Sequence, residues 1–215
     1  MFGPQREAQV AFIDALLGTL GPDDTLQLAT CDAVTRWASD LSVEATNEHR
    51  EAAMQFLEER TPLGWSDLDA AFGEAFDRLR TGTHVVYVGD GTPTSGDADA
   101  VAFAQRLARD FPGNATFHAV IPGSRSEPVV TRGSAALGGG SVRSIGGSTD
   151  AAAIAFDLAR EITTPSMRDL ELRFEGIDVA AVYPERLPNL PAGGQQIVVG
   201  SFDPKVSRLG QRLLL

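Results

Sequence analysis

Apolar residues recur along the first twenty positions at the spacing of one face of an α-helix. They are Ala8, Val10, Phe12, Ile13, Leu16, Leu17 and Leu20. Steps of three and four residues within this set place its members on a single wide stripe. The pattern therefore predicts an amphipathic helix over residues 5–20, which the turn-forming sequence Gly21-Pro22-Asp23-Asp24 ends.

Strand-like and helix-like patterns then alternate as far as about residue 163. Short β-branched and apolar runs predict strands at residues 25–30, 84–88, 115–122 and 141–145. Helical spacing predicts helices after Asp67 and at residues 47–59, 98–110, 127–137 and 149–162. The run 84–88 is apolar without alternation, which predicts a central parallel strand covered on both faces. This rhythm favours an α/β fold with a doubly wound, mostly parallel sheet and helices on both faces.

The rhythm changes after the sequence Thr163-Thr164-Pro165-Ser166. Three strand-like runs follow without a helical pattern between them, at residues 170–174, 178–183 and 195–202. We therefore expect an α/β domain over residues 1–163 and a partial, β-rich segment over residues 164–215.

Composition narrows the classes of partner that the chain could bind and leaves its compartment open. With 215 residues, of which 43% are hydrophobic, the chain has enough apolar surface for a folded core. A net charge of -11 without a local lysine or arginine cluster argues against nucleic acid as a partner. No apolar run approaches the length of a membrane span, and no export leader is recognisable. The single Cys31 excludes an internal disulfide but indicates no compartment.

Asp90 follows the apolar run 84–88, with only Gly89 between them. In open α/β sheets, ligands bind at the carboxyl ends of the strands, and Asp90 lies at such an end. The alternative is an ordinary turn, because aspartate followed by Gly91 is a favoured turn pair.

Ser66 precedes a predicted helix and has Asp69 three residues later. One interpretation is a helix cap, in which the Ser66 hydroxyl accepts a backbone N–H bond. The other is a ligand role, because hydroxyl and carboxylate oxygens at one edge of a parallel sheet are the hard ligands that magnesium and calcium prefer. Ser66 and Asp90 are therefore candidates for one cation site.

Five segments, in order and spacing, resemble the von Willebrand factor type A domain. They are Met1-Phe2-Gly3, Pro22 to Asp32, Gly64 to Phe72, Val85 to Asp97, and Ala136 to Gly146. The continuation to Phe202 is similar to the segment after this domain in inter-alpha-trypsin inhibitor heavy chains and their bacterial relatives. The resemblance implies a Rossmann-like fold and a non-enzymatic, adhesion-type protein-interaction module.

The resemblance also implies a metal-ion-dependent adhesion site, in which a partner's carboxylate completes the coordination of a divalent cation such as Mg²⁺. Asp90 matches the aspartate of the third loop, and Ser66 takes the place of the second-loop threonine, with Gly64 kept. Trp65, Gly91 and Thr92 are then expected to contact a protein partner that offers a carboxylate. No organic cofactor is implied.

The first-loop motif of the family, Asp-x-Ser-x-Ser, does not occur in this sequence. Methionine and then glycine commonly follow that motif, so we expect Met1 to be an internal residue of a longer protein and the first strand to be missing. A shortened paralogue is the alternative. With about two of five protein ligands, Mg²⁺ binding is expected to be millimolar or undetectable. Full-length relatives would be exported or displayed at the cell surface.

Catalytic patterns are weak by comparison. His49, His84 and His118 are the only histidines, no spacing pairs them, and a structural role is favoured for each. No nucleophile elbow, Walker loop or zinc-protease motif occurs, and Gly138 to Gly140 indicate a helix stop. The rival interpretation is a hydrolase or nucleotide-binding protein that uses Asp90, and a third is an inert fragment.

Overall fold

The computed structural model describes residues 3–61, 65–96, 99–167, 170–175, 178–184, 187, 190–202 and 212–214. Met1, Phe2 and Gly64, on which parts of the family resemblance rest, lie outside the described residues. The chain divides into two compact units, Met1–Thr163 and Thr164–Leu215.

The first unit alternates helices and strands. Its helices are α1 (Pro4–Gly18), α2 (Asn47–Glu58), α3 (Leu68–Arg78), α4 (Ala100–Asp110), α5 (Pro128–Ala136) and α6 (Ser148–Thr163). Its strands are β1 (Thr25–Leu26), β2 (Ala29–Cys31), β3 (Thr35–Trp37), β4 (Val43–Glu44), β5 (Thr83–Val88), β6 (Ala115–Pro122) and β7 (Val142–Ile145). The predicted helices and the three later strands are confirmed to within about two residues.

The region predicted as one strand at residues 25–30 is instead one arm of an antiparallel hairpin. β1 pairs with β4 and β2 pairs with β3. The returning strands were not predicted from the sequence, because two or three residues are too few to show a period of two.

The parallel sheet of the described residues has the strand order β5-β6-β7. All eight residues of β6 are buried, whereas all six residues of β5 are only half-buried. The prediction that His84–Val88 is central is therefore wrong for the described sheet, in which β6 is central and β5 lies at an edge. An unbroken apolar run indicates that both faces of a strand are covered, but it does not indicate whether another strand pairs with each of its two edges.

Helices cover both faces of this sheet, as predicted. One face packs against α1 and α6 around Phe12, Val120 and Leu158. The other packs against α3, α4 and α5 around Phe72, Phe103, Phe117 and Val130. The rings of Phe72 and Phe117 stack with centroids 5.6 Å apart.

The second unit contains antiparallel strand pairs. Its strands are β8 (Ser166–Met167), β9 (Arg173–Glu175), β10 (Val179–Tyr183), β11 (Leu190–Pro191), β12 (Val199–Phe202) and β13 (Arg212–Leu214). β8 pairs with β11, β9 with β13 and β10 with β12. Across the described parts of both units, no helix combines the length and apolarity that crossing a membrane requires.

Candidate functional site

Asp90 lies in a turn that follows β5 directly. Its Oδ1 accepts a hydrogen bond from Thr92 N at 3.0 Å, and its backbone carbonyl accepts one from Glu127 N at 2.7 Å. Gly91 adopts a φ of 73°, in the left-handed region that favours glycine. The two interpretations of Asp90, as a turn residue and as a residue at the sheet edge, are therefore compatible. The turn itself places the carboxylate at the carboxyl end of the sheet.

Asp67, rather than Ser66, caps α3. The Asp67 side chain accepts a hydrogen bond from Ala70 N at 3.1 Å. Ser66 is one residue too early for this role, because α3 begins at Leu68 and Asp67 occupies the N-cap position. The capping interpretation of Ser66 is therefore wrong.

The Ser66 loop and the loop after Asp90 are hydrogen-bonded to each other. Ser66 O accepts bonds from Thr94 N and Ser95 N, both at 3.2 Å. In return, Ser66 N donates to Thr94 Oγ1 at 2.7 Å. The structure thus brings the two predicted loops together, whereas a metal-binding role for either residue stays a prediction.

The tip of the β2–β3 hairpin joins the same edge. Asp67 N donates to Asp32 O at 3.0 Å. The Cys31 thiol lies 3.3 Å from Asp67 O and 3.4 Å from Asp32 O, as a donor to these carbonyls. Burial raises the pKa of this thiol to about 11, so it stays protonated at neutral pH. Cys31 therefore supports the loops and is not a reactive thiolate.

The residues expected to contact a partner differ in accessibility. Trp65 is 64% exposed, and Thr92 is also exposed. Gly91 is buried against α5, where an added Cβ would lie 2.8 Å from Thr131 Cγ2. Gly91 therefore shapes the turn, while Trp65 and Thr92 offer accessible surface beside it.

Asp90 and Ser66 are the two described side chains that are predicted to donate oxygen ligands to a cation at this edge. A hard divalent cation takes about six oxygen ligands, several of them from the protein in tight sites. Asp90 supplies one carboxylate, of which Oδ1 already accepts a bond from Thr92 N, and Ser66 supplies one hydroxyl. Within the part of the chain that the structure describes, no three or more His, Cys, Asp or Glu side chains form a group able to hold a metal ion.

Two histidines that the sequence pattern leaves unpaired lie in contact. His84 Nδ1 and His118 Nε2 are 3.1 Å apart, and the two rings stack. Parallel pairing of β5 with β6 matches His84 to Thr116 and Val86 to His118, so both rings lie on the α1–α6 face. Sequence spacing does not show this contact, because it arises from the register of β5 and β6, and it is compatible with the structural role favoured for these histidines.

His118 belongs to a buried polar network. Its Nδ1 accepts a bond from Ser141 N at 3.3 Å and lies 3.5 Å from Glu161 Oε1, and Glu161 in turn pairs with Arg143. These contacts fit a neutral ring with its hydrogen on Nε2, directed at His84. Burial lowers the pKa of His118 to about 4.

We expect the depressed pKa of His118 to make the fold acid-sensitive. The unfolded chain binds a proton near pH 6.5 and the folded chain only near pH 4, so stability is present above pH 6.5 and is lost as pH falls through this window. The expected loss from this group is about 2 kcal/mol between pH 7 and pH 5. Urea unfolding at both pH values measures it. His118→Gln should reduce the difference. The control His49→Gln, at a half-buried histidine of α2 whose ring bonds Glu44 O, should keep it, and an equal difference in both variants would contradict the assignment.

Comparison with known proteins identifies a family for the first 143 residues. The sequence-family model of the von Willebrand factor type A domain matches residues 1–143. Among curated proteins, the chain is 23% identical to human inter-alpha-trypsin inhibitor heavy chain H6, over 99% of this chain and 17% of that protein. It is 21% identical to heavy chain H2 of Sus scrofa, over 95% of this chain and 23% of that protein. The chain thus spans about a fifth of the length of these relatives.

Solved structures agree on the fold. A von Willebrand factor type A protein from Catenulispora acidiphila superposes with a TM-score of 0.70 at 18% identity, over 92% of this chain and 49% of that one. Proximal thread matrix protein 1 from the mussel byssus, with a zinc-occupied MIDAS motif, gives a TM-score of 0.52 at 13% identity, over 74% of this chain and 42% of that one. Since the family model covers well over half of the sequence, this chain belongs to the von Willebrand factor type A domain family.

Proposed function

We propose that this chain is a non-enzymatic, adhesion-type protein-interaction module whose binding surface is the carboxyl edge around Ser66 and Asp90. The observation that carries the proposal is the interlocking of the two loops through Ser66 and Thr94. Hydrogen bonds in both directions hold this edge in one arrangement, and Trp65 stands 64% exposed on it. A fixed edge with an exposed aromatic residue is typical of a binding surface.

The proposed partner is a protein that offers a carboxylate. Family membership supports this proposal, as does the zinc-occupied MIDAS motif of the mussel protein. Asp90 and a chain charge of -11 repel a carboxylate, so a divalent cation is needed between the two. With one carboxylate and one hydroxyl from this chain, Mg²⁺ alone should bind only in the millimolar range. An exported or cell-surface setting is part of the same proposal.

Trp65 provides a direct readout of binding at this edge. The chain has two tryptophans, so Trp37→Phe isolates the emission of Trp65. We expect a short aspartate-containing peptide with 10–20 mM MgCl₂ (a range chosen to exceed about millimolar affinity) to change this emission in a saturable way. Asp90→Ala and Ser66→Ala should weaken the response several-fold, and Asp23→Ala, which alters an exposed acid in the turn after α1, should not.

Stability measurements separate binding from helix capping. Ser66→Ala should change the free energy of unfolding by less than about 0.5 kcal/mol, whereas Asp67→Ala should cost about 1 kcal/mol as a lost cap. An unaltered peptide response in both Ser66→Ala and Asp90→Ala would contradict the proposed surface. Micromolar Mg²⁺ binding by calorimetry, lost in Asp90→Ala, would contradict the partial site. Thermal stabilisation by nucleotides and not by Mg²⁺ with peptide would favour the hydrolase or nucleotide-binding alternative.

A further inference from the structure

Tyr87 connects the core of the sheet to the turn that carries Asp90. Its ring packs against Phe72 on the α3–α5 face, with centroids 5.6 Å apart. Its hydroxyl oxygen accepts a hydrogen bond from Gly91 N at 3.0 Å. Burial raises the pKa of this phenol well above its ordinary value, so the hydroxyl stays neutral across the physiological range.

Gly89 leaves room for this arrangement. A Cβ placed on Gly89 would lie 2.3 Å from Tyr87 Oη and 2.6 Å from Tyr87 Cζ. The ring therefore folds back over the strand end, and no side chain at position 89 is compatible with this position of the ring. Gly89 N donates to Val120 O at 3.0 Å, which fixes the residue to β6 while the ring covers it.

The Asp90–Gly91 peptide is also held from the opposite side. Glu127 N donates to Asp90 O, and a Cβ at Gly91 would lie 3.3 Å from Glu127 O. The peptide is thus bound by Tyr87 from the strand and by the residue that precedes α5. Because Asp90 Oδ1 bonds Thr92 N, the orientation of this peptide also sets the direction of the carboxylate.

We propose that Tyr87 is a positioning residue for Asp90, and that its hydroxyl fixes the turn in the orientation that the binding surface requires. This role rests on the proposed function of the Asp90 edge. Tyr87 touches the backbone of the turn and acts on a partner only through Asp90. Phenylalanine at position 87 would keep the packing against Phe72 but would leave Gly91 N without its acceptor.

The first test is amide hydrogen exchange in Tyr87→Phe. Loss of one hydrogen bond should accelerate exchange at Gly91 about tenfold, while Gly89, which bonds Val120 O, should keep its rate. Tyr183→Phe, at the only other tyrosine, is the matched control and should change neither amide. Equal acceleration at Gly89 and Gly91, or none at Gly91, would overturn the local role. Gly89→Ala, which displaces the same ring, is the second variant if Tyr87→Phe does not fold.

The second test is the Trp65 emission response to the aspartate peptide with MgCl₂. Tyr87→Phe should weaken this response several-fold, towards that of Asp90→Ala, without abolishing folding. Faster Gly91 exchange with an unaltered peptide response would overturn the positioning role. If the parent chain itself gives no response, the proposed function fails, and Gly91 exchange alone then decides whether Tyr87 orients the turn.

Discussion

Gly140→Ala is expected to destabilise the first unit by about 3 kcal/mol or more. A Cβ on Gly140 would lie 1.5 Å from Phe117 O and 2.5 Å from Phe117 C, both backbone atoms of the central strand. The segment cannot move away at low cost, because Phe117 N donates to Leu137 O and Ala119 N donates to Ser141 O on either side of it. The chain here runs against β6 so closely that only glycine fits.

Gly73→Ala is the matched control for this prediction. Gly73 lies in the interior of α3, is exposed, and has no atom within 4 Å of an added Cβ. Alanine there should stabilise the helix by about 0.5–1 kcal/mol. Thermal and urea unfolding of both variants should therefore show shifts of opposite sign. A Gly140→Ala protein that melts within about 2 °C of the parent would show that the predicted clash does not exist.

The sequence predicted Gly138 to Gly140 as a helix stop, and the structure adds the reason for the third glycine. α5 ends at Ala136, and Gly138 and Gly139 take positive φ values, as a helix stop requires. The need for glycine at position 140 comes from the neighbouring strand β6. A contact with a strand more than twenty residues away leaves no local pattern in the sequence.

Helices and strands could be predicted from the sequence where burial repeats along the whole element. The apolar stripe of α1 and the unbroken run of β6 both reflect burial that repeats along the element. The hairpin could not be predicted from the sequence, because its strands are short and carry polar residues such as Thr35 and Arg36. The edge position of β5 could not be predicted either, because the composition of β5 resembles that of the central strand β6.

The candidate site was predictable in its residues and not in its supports. Ser66 and Asp90 follow from loop position and from the family resemblance, and the structure joins their loops. Asp67 as the cap depends on where α3 begins, to within one residue. Tyr87 lies within an apolar run, and no pattern in that run indicates a role for its hydroxyl. The hydrogen bond from Gly91 N becomes visible only in the folded structure.

The free edge of β5 has consequences for the behaviour of the whole chain. Gly89 N bonds β6, so Val86 and Val88, which alternate with it, direct their backbone groups away from β6. Gln9 Nε2 donates to Val88 O at 2.8 Å, so a side chain of α1 satisfies one of these groups. No strand among the described residues pairs with this edge. Each strand group that is buried without a partner costs on the order of 1–3 kcal/mol.

The hairpin lies close to this edge without closing it. Leu28 packs in the cluster that contains Val86 and Val88, and Cys31 packs with Val85 and Tyr87 on the opposite face. The hairpin therefore contacts both faces of the core beside β5, yet no ladder joins β2 to β5 in the described sheet. The arrangement resembles a sheet with space for one more strand between two existing strands.

We expect the 215-residue chain to be marginally stable and to self-associate through β5. An apolar strand edge without lysine or proline is a template for pairing with another chain, and Thr83–Val88 carries neither residue. Sedimentation velocity should show association that increases with protein concentration, and thermal unfolding should be broad. An added amino-terminal strand, apolar on both faces, should pair with this edge and give a monomer that melts cooperatively, whereas the same extension with two prolines in the strand should not. A sharply melting monomer of the unextended chain, with the amides of Val86 and Val88 slow to exchange, would show that the β5 edge is already satisfied.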